Sequence, residues 1–208
     1  MNDVKRISQC YLNLASAVSE PSLVKEISDI IGAGSKNYPY TTALVGIETG
    51  SPALIEAHMN GKARPFQPSE WPDVVEQGFG ICIDNHWVPL GMLILGFPGE
   101  TERDIRKTMS LVEKLSPYKS VLIPFVFDAK GVLKTEKSFN AKDLKSSHLD
   151  MIHAILDHNL RWVSRLVKEQ ISSMSQWRWL FSMISPLIDL GIRKAHEKLL
   201  DEIVACAR

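Results

Sequence analysis

The sequence predicts an α/β fold in which a parallel sheet of about three strands is covered by helices and followed by a wholly helical segment. Three short apolar runs, Thr41–Glu48, Val88–Gly96 and Ser120–Phe127, have the near-continuous hydrophobicity of strands buried on both faces. Helical periodicity fills the intervals between them, the alternation that produces parallel βα units. Beyond residue 142 the strand signal disappears, and Leu149, Ile152, Leu156, Leu160, Val163 and Val167 mark one face of a long helix. Three βα units of this kind amount to half of a TIM-like barrel or to a small doubly wound sheet. The chain accordingly divides into residues 1–142, the partial barrel, and 143–208, a helical C-terminal extension.

The elements follow in order. Residues 3–18 and 21–31 read as helices, the second with Leu23, Val24, Ile27, Ile30 and Ile31 at helical spacing. Gly32, Gly34 and Tyr38-Pro39 then turn the chain into the first apolar strand. The next helix is punctuated at both ends: Ser51 as a cap for free amides, Pro52 in the first turn, and Asn60-Gly61 as a left-handed stop. A loop at 61–72 precedes a helix at 73–85 that Gly78 and Gly80 interrupt. Thr101 and Asp104 have capping-box spacing, with Asp in place of the usual Glu, and open a helix that Ser116-Pro117 stops. A loop at 128–142 leads into the helical segment, whose second stretch carries Trp177, Trp179 and Phe181.

A chain of 208 residues can bury a substantial core without a disulfide or metal staple. Its 24 basic residues balance 24 acidic ones, which removes any electrostatic argument for nucleic acid as a partner. Cys10, Cys82 and Cys206 are far apart and form no CxxC or CxxxC pair, so they read as thiols of a reducing cytoplasm rather than as metal ligands. The N-terminus is too polar for a secretory signal, and no window reaches the ~20 apolar residues of a membrane span. The most apolar stretch, Trp177–Ile192, is broken by Arg178, Pro186 and Asp189. It reads as packing on the barrel or on its missing half, with a membrane surface as the alternative. His58 and His86 stand singly near loops. His148, His153 and His158 are spaced by five and do not share one helical face, which argues against zinc. A cytoplasmic protein is the expectation.

Two constellations carry chemistry. Val45-Gly-Ile-Glu-Thr-Gly-Ser-Pro52 puts a carboxylate, two hydroxyls and a glycine at the C-terminal end of a parallel strand, where α/β folds build their sites. Glu48 would accept hydrogen bonds from a ligand, and Gly50 would let the ligand approach the backbone. The plainer alternative is that Glu48 pairs with a lysine while Ser51 and Pro52 merely start a helix. The second constellation, Gly91-Met-Leu-Ile-Leu-Gly-Phe-Pro-Gly-Glu-Thr101, ends a strand in glycines and opens a helix. It matches neither the phosphate-loop nor the dinucleotide-binding spacing.

Together GIETGSP (46–52) and LILGFPGET (93–101) resemble the radical S-adenosylmethionine (SAM) superfamily, most closely its members with an upstream cobalamin-binding domain. In that family a GIE[ST]GS-type stretch ends the fourth barrel strand and an LI.G.PGET-type stretch ends the fifth. Met59, Gly61 and Lys62 match the usual continuation, Ser120–Phe127 falls at the sixth strand, and the resemblance covers roughly residues 20–130. It implies that Glu48, Thr49 and Ser51, with Gly50 beside them, lie near the ribose and methionyl part of SAM. It also implies that Ile94, Gly96, Pro98, Pro124 and Phe125 border the adenine. The wider superfamily pattern GxIxGxxE is met with two departures: Met92 stands at its first glycine, and the glutamate falls one residue late, at Glu100.

The family's CxxxCxxC loop, which holds a [4Fe–4S] cluster, is not present in this sequence. The expectation is therefore a C-terminal fragment or subunit that contributes part of a SAM site. The iron–sulfur cluster and cobalamin would belong to an upstream part not in this chain. No residue here is assigned a catalytic or metal-binding role. Either a companion chain supplying the cysteine loop or a second copy would cover the open sheet edge, since an uncovered edge is a liability. The competing functions are a non-catalytic SAM-binding or protein-interaction module and a membrane-surface adaptor acting through the C-terminal helices.

Overall fold

The computed structural model describes residues 9–130, 136–172 and 190–192, with 194, 197, 198 and 201. Its centre is a parallel sheet of three long strands and one very short one: β1 (Gln9–Tyr11), β2 (Thr41–Glu48), β3 (Trp87–Leu95) and β4 (Val121–Val126). The spatial order is β1-β2-β3-β4, so the chain advances across the sheet in one direction without reversing. A doubly wound sheet requires a reversal, and none occurs among these strands.

Helices α1 (Leu14–Ser19) and α2 (Pro21–Ile31) link β1 to β2, α3 (Pro52–His58) and α4 (Trp71–Asp84) link β2 to β3, and α5 (Glu102–Lys114) links β3 to β4. The long α6 (Ser146–Ser172) packs against α5 and β4. Because α1 touches α4, α4 touches α5, and α5 touches α6, the helices form one layer on one side of the sheet. Burial alternates to match. Ala43, Val45 and Ile47 of β2, Leu93 and Leu95 of β3, and Leu122 of β4 are buried under the helices with Leu14, Val75, Phe79 and Ile105. Their alternating neighbours Leu44, Met92, Ile94 and Ile123 lie on the opposite face and are only half-buried. The apolar runs that looked two-sided are thus covered on one face within the described residues.

Local chemistry explains most of the element ends. Thr101 accepts from the Asp104 amide while the Asp104 carboxylate accepts from the Thr101 amide, so the expected capping box forms with Asp in the third position. Gly32 closes α2 in the left-handed conformation, with φ 71°. Gly78 does not break α4: a Cβ there would come within 2.9 Å of Leu14, so its absence lets α1 press onto α4.

Three expectations need correction. The segment read as a helix over 3–18 contains β1, and α1 begins only at Leu14, where the Asn13 side chain accepts from the Ser16 amide. The stop at Asn60-Gly61 comes late, since α3 already ends at His58. The deepest stripe of α6 is His148, Met151, Ile155, His158 and Leu166, whereas Leu149, Ile152, Leu156, Leu160, Val163 and Val167 are half-buried. Counting apolar residues alone missed two histidines that are buried because each has a hydrogen-bond partner. Trp177, Trp179, Phe181 and the 177–192 stretch as a whole lie largely outside the described residues, as does Cys206. Among the described residues no helix is long and apolar enough to cross a membrane.

The α6–β4 contact is polar at its centre. Ser120 gives its one hydroxyl proton to the Tyr118 carbonyl, 3.0 Å away, so its oxygen accepts from His158 Nε2, at 2.9 Å. Burial is the main cause that pushes the His158 pKa down to about 4, and the nearby Arg161 charge adds to it. The Nδ1 atom is buried without a partner among the described residues, so a second proton would find no acceptor. A depressed histidine pKa gives stability that is complete above the unfolded value of 6.5 and is lost as pH falls toward 4. The expected loss over that window is about 3 kcal/mol. Urea titrations at several pH values should show this slope in the parent chain and a flatter one in His158→Gln. Equal slopes would exclude His158 as the titrating group.

Candidate functional site

The C-terminal end of β2 carries a strained turn. The Thr49 amide donates to the Ile47 carbonyl at 2.9 Å, closing a γ-turn around Glu48, whose φ is +66°. A β-branched or charged residue seldom takes this hand, which costs about 1–2 kcal/mol. The register between β2 and β3 shifts between Gly46 and Glu48 to admit it. The buried indole of Trp71 holds the turn in place, its Nε1 donating to the carbonyls of both Ile47 (3.1 Å) and Thr49 (3.2 Å).

The turn swings the Glu48 carboxylate across the open face, where it pairs with Lys62 at 3.0 Å; both side chains are mostly covered. The Lys62 ammonium also lies 5.6 Å from the centre of the Trp71 ring. Glycine at 46 makes this possible. A Cβ there would fall 2.2 Å from the Glu48 carboxylate and 2.8 Å from Lys62 Nζ. The lysine pairing foreseen as the plain alternative therefore does occur, and it occurs at the rim of a cavity.

That cavity, of about 410 Å³, opens over the C-terminal ends of β2, β3 and β4. Its walls are Met92 and Ile94 of β3, Phe125 of β4, the buried Phe97 and Phe127, and His58. His58 stacks on Phe97 with ring centres 5.6 Å apart, and its Nε2 sits 2.9 Å from the Pro98 carbonyl. Phe125 is 49% exposed on the open face, although it pairs in register with Ile94. One ionic pair beside flat apolar and aromatic walls suits a ligand with a planar ring system and a hydroxylated or charged arm.

Beneath the cavity lies a buried polar network joining the two sequence constellations. Thr49 Oγ1 and Thr108 Oγ1 are 3.1 Å apart, and the Gly50 amide donates to Thr108 at 3.0 Å. Ser51 Oγ donates to one Asp104 oxygen, while the other accepts from the Thr101 amide and hydroxyl. Burial alone would raise the Asp104 pKa, but the hydrogen bonds from Ser51 and Thr101 together outweigh it and hold the carboxyl below its usual range. Ser51 thus does not cap α3 with its side chain. It ties the end of β2 to the start of α5.

The second turn is anchored in the same way. Glu100, whose side chain is 4% exposed, accepts from the Gly96 amide at 2.8 Å and from His148 at 2.9 Å. The Lys145 amide donates to His148 Nδ1 at 3.1 Å, which puts the ring's proton on Nε2, facing Glu100. The Phe139 ring covers Gly96, where a Cβ would lie 2.1 Å from it.

The predicted site residues accordingly divide. Glu48, Ile94 and Phe125 meet at the cavity, and Pro98 borders it through the carbonyl facing His58. Thr49 and Ser51 are 1% and 0% exposed and belong to the network below. Gly50 lies with them on the α5 side, Gly96 and Glu100 are held under Phe139 and His148, and Pro124 pairs with Leu93 on the helix-covered face. Lys62, Met92, His58, Phe97 and Phe127 complete the site. Of these, Lys62 stands in the stretch already noted after GIETGSP and reaches the site through Glu48, and period-two alternation with Ile94 could have found Met92; no sequence signal singled out His58, Phe97 or Phe127 as lining residues. Among the described residues no three histidine, cysteine or acidic side chains come together as a metal site. Comparison with models of known families and with curated proteins finds no match for this chain.

If the γ-turn is strained, Glu48→Gly and Glu48→Ala should differ although both lose the carboxylate. The glycine variant is expected to be the more stable by about 1 kcal/mol, because it adopts a positive φ without steric cost. Denaturant unfolding of the two variants measures the difference, and a more stable alanine variant would remove the strain argument.

Proposed function

We propose that this chain forms part of the SAM-binding half of a radical SAM barrel and acts together with the half of that barrel that carries the cluster. The observation that carries the proposal is the γ-turn at Glu48. A charged residue kept in a costly conformation at the C-terminal end of a parallel strand is a feature expected of a ligand site rather than of a stabilising one. The one-directional strand order supports a barrel segment over a doubly wound sheet, because successive βα units that never reverse lead toward closure.

The cavity suits SAM in size and chemistry. Glu48 would receive hydrogen bonds from the ribose hydroxyls or the ammonium group, with Lys62 holding its carboxylate in place. Ile94, Met92 and Phe125 would take the adenine, and the Phe97–His58 stack would shield it from water. When bound and reduced by a cluster, SAM supplies a carbon-centred oxidant. The residues described here bind and orient; they contribute no thiolate set for iron. No cluster site forms among the described residues, and the cluster is assigned to the other half of the barrel.

Equilibrium dialysis with labelled SAM tests the reading. Saturable binding is expected, weakened at least tenfold (about 1.4 kcal/mol) by Phe125→Ala and by Glu48→Gln, and unchanged by Lys25→Ala on the exposed surface of α2. Absence of saturable binding up to about 10 mM SAM by the folded chain would overturn it. Anaerobic reconstitution with iron and sulfide should leave the chain alone without cluster absorbance.

A further inference from the structure

Beside the cavity over the sheet lies a second one, of about 500 Å³, between α3 and the loop that follows it. Met59 borders both cavities. Ile55, Met59 and Phe66 give the second cavity an apolar floor, and the exposed Glu56, Asn60 and Arg64 stand around it. Its volume is that of an ordinary small-molecule site. Successive backbone bonds hold the loop: the Lys62 amide donates to Met59 at 2.9 Å, Arg64 to Gly61 at 3.2 Å and Phe66 to Ala63 at 2.9 Å. Buried Ala63 and the Lys62–Glu48 pair pin it to the body of the protein. The Arg64 side chain folds back over Gly61, its Nε 3.8 Å from the place a Cβ would take there.

The charges flanking this cavity are used, and those lining it are not. Lys62 pairs with Glu48, and Glu70 accepts from the Gln67 amide at 2.8 Å. Glu56 and Arg64, by contrast, have no side-chain hydrogen bond or ion pair among the described residues, with each other or with any third group. The side-chain amide of Asn60 is likewise unpartnered among them. A carboxylate and a guanidinium that share a cavity without neutralising one another make a dipolar lining. A simple anion would be repelled by Glu56 and a simple cation by Arg64. A wholly apolar molecule would strip water from both charges and return no hydrogen bonds.

From this lining we infer that the cavity is a second ligand site, for a zwitterion of the α-amino-acid class with an apolar side chain. The Arg64 guanidinium takes the carboxylate through two parallel N–H···O bonds. Glu56 accepts from the ammonium, and the Asn60 amide carbonyl accepts a remaining ammonium proton. The apolar chain of the ligand lies on Ile55, Met59 and Phe66. The inference stands apart from the proposed function: nothing in it requires SAM, and the shared Met59 only places the two ligands side by side.

Backbone amide shifts of the full chain, titrated with L-leucine as the probe ligand, test the site. Saturable shifts are expected, centred on residues 59–67. N-acetyl-L-leucine lacks the ammonium and L-leucine methyl ester lacks the carboxylate, and each is expected to bind at least tenfold more weakly. Arg64→Gln and Glu56→Gln should weaken leucine by the same factor, with circular dichroism checking that these exposed-site variants fold. Glu56→Gln should not weaken N-acetyl-leucine, which has no ammonium to lose, whereas a structural role for Glu56 would weaken both ligands. Phe125→Ala, in the other cavity, should leave leucine binding unchanged. Absence of saturable shifts up to about 10 mM leucine would overturn the inference. So would equal affinity for leucine and either derivative, a comparison that needs no variant. Shifts centred on Met92 and Ile94 would put leucine in the cavity over the sheet and overturn it as well. No SAM is present in these titrations, so their failure is separable from failure of the SAM reading.

Discussion

The site depends on the indole of Trp71. A strand ending in a γ-turn of the unfavourable hand would relax unless the neighbouring carbonyls were held. One buried N–H shared between Ile47 and Thr49 holds them on both sides of Glu48. The same ring lies beneath the Lys62 ammonium, so the cation that orients Glu48 is set by the residue that sets its backbone. Trp71 is also the first residue of α4 and part of the main core. The stability of the fold therefore sustains the local strain.

The polar residues of the two strand ends have separate duties that their proximity in sequence conceals. In Glu48-Thr-Gly-Ser51, only the first side chain reaches the cavity, and the hydroxyls turn inward to Thr108 and Asp104. In Gly99-Glu-Thr101, the carboxylate and hydroxyl likewise turn inward, one to Gly96 and His148 and the other to Asp104. Carboxylates satisfied by several short hydrogen bonds stiffen the turns they join. The result is a mobile-looking, glycine-rich rim fixed from below, which leaves the apolar wall formed by Met92, Ile94 and Phe125 free to meet a ligand.

Helix α6 does more than extend the chain. Its His158 and Asn159 sit side by side against Ser120 and Leu122, so one turn of helix both docks on the sheet and satisfies the outward backbone groups of Leu122. Glu100 and His148 connect the start of the same helix to the turn after β3, beside the cavity.

Apolar runs and capping residues by themselves determined the three long strands, the position of α5 and its capping box, and the placing of two polar constellations at strand ends, because those signals are local. The short β1 was not legible, since three residues carry too little pattern to outweigh a helical neighbourhood. Nor was the buried face of α6, because histidines and an asparagine are buried only when a partner distant in sequence satisfies them. Which of Glu48, Thr49 and Ser51 faces the cavity was equally beyond the sequence. A single positive φ reverses the direction of a side chain, and that φ is imposed by Trp71, 23 residues away, through contacts that exist only once α4 has packed on the sheet.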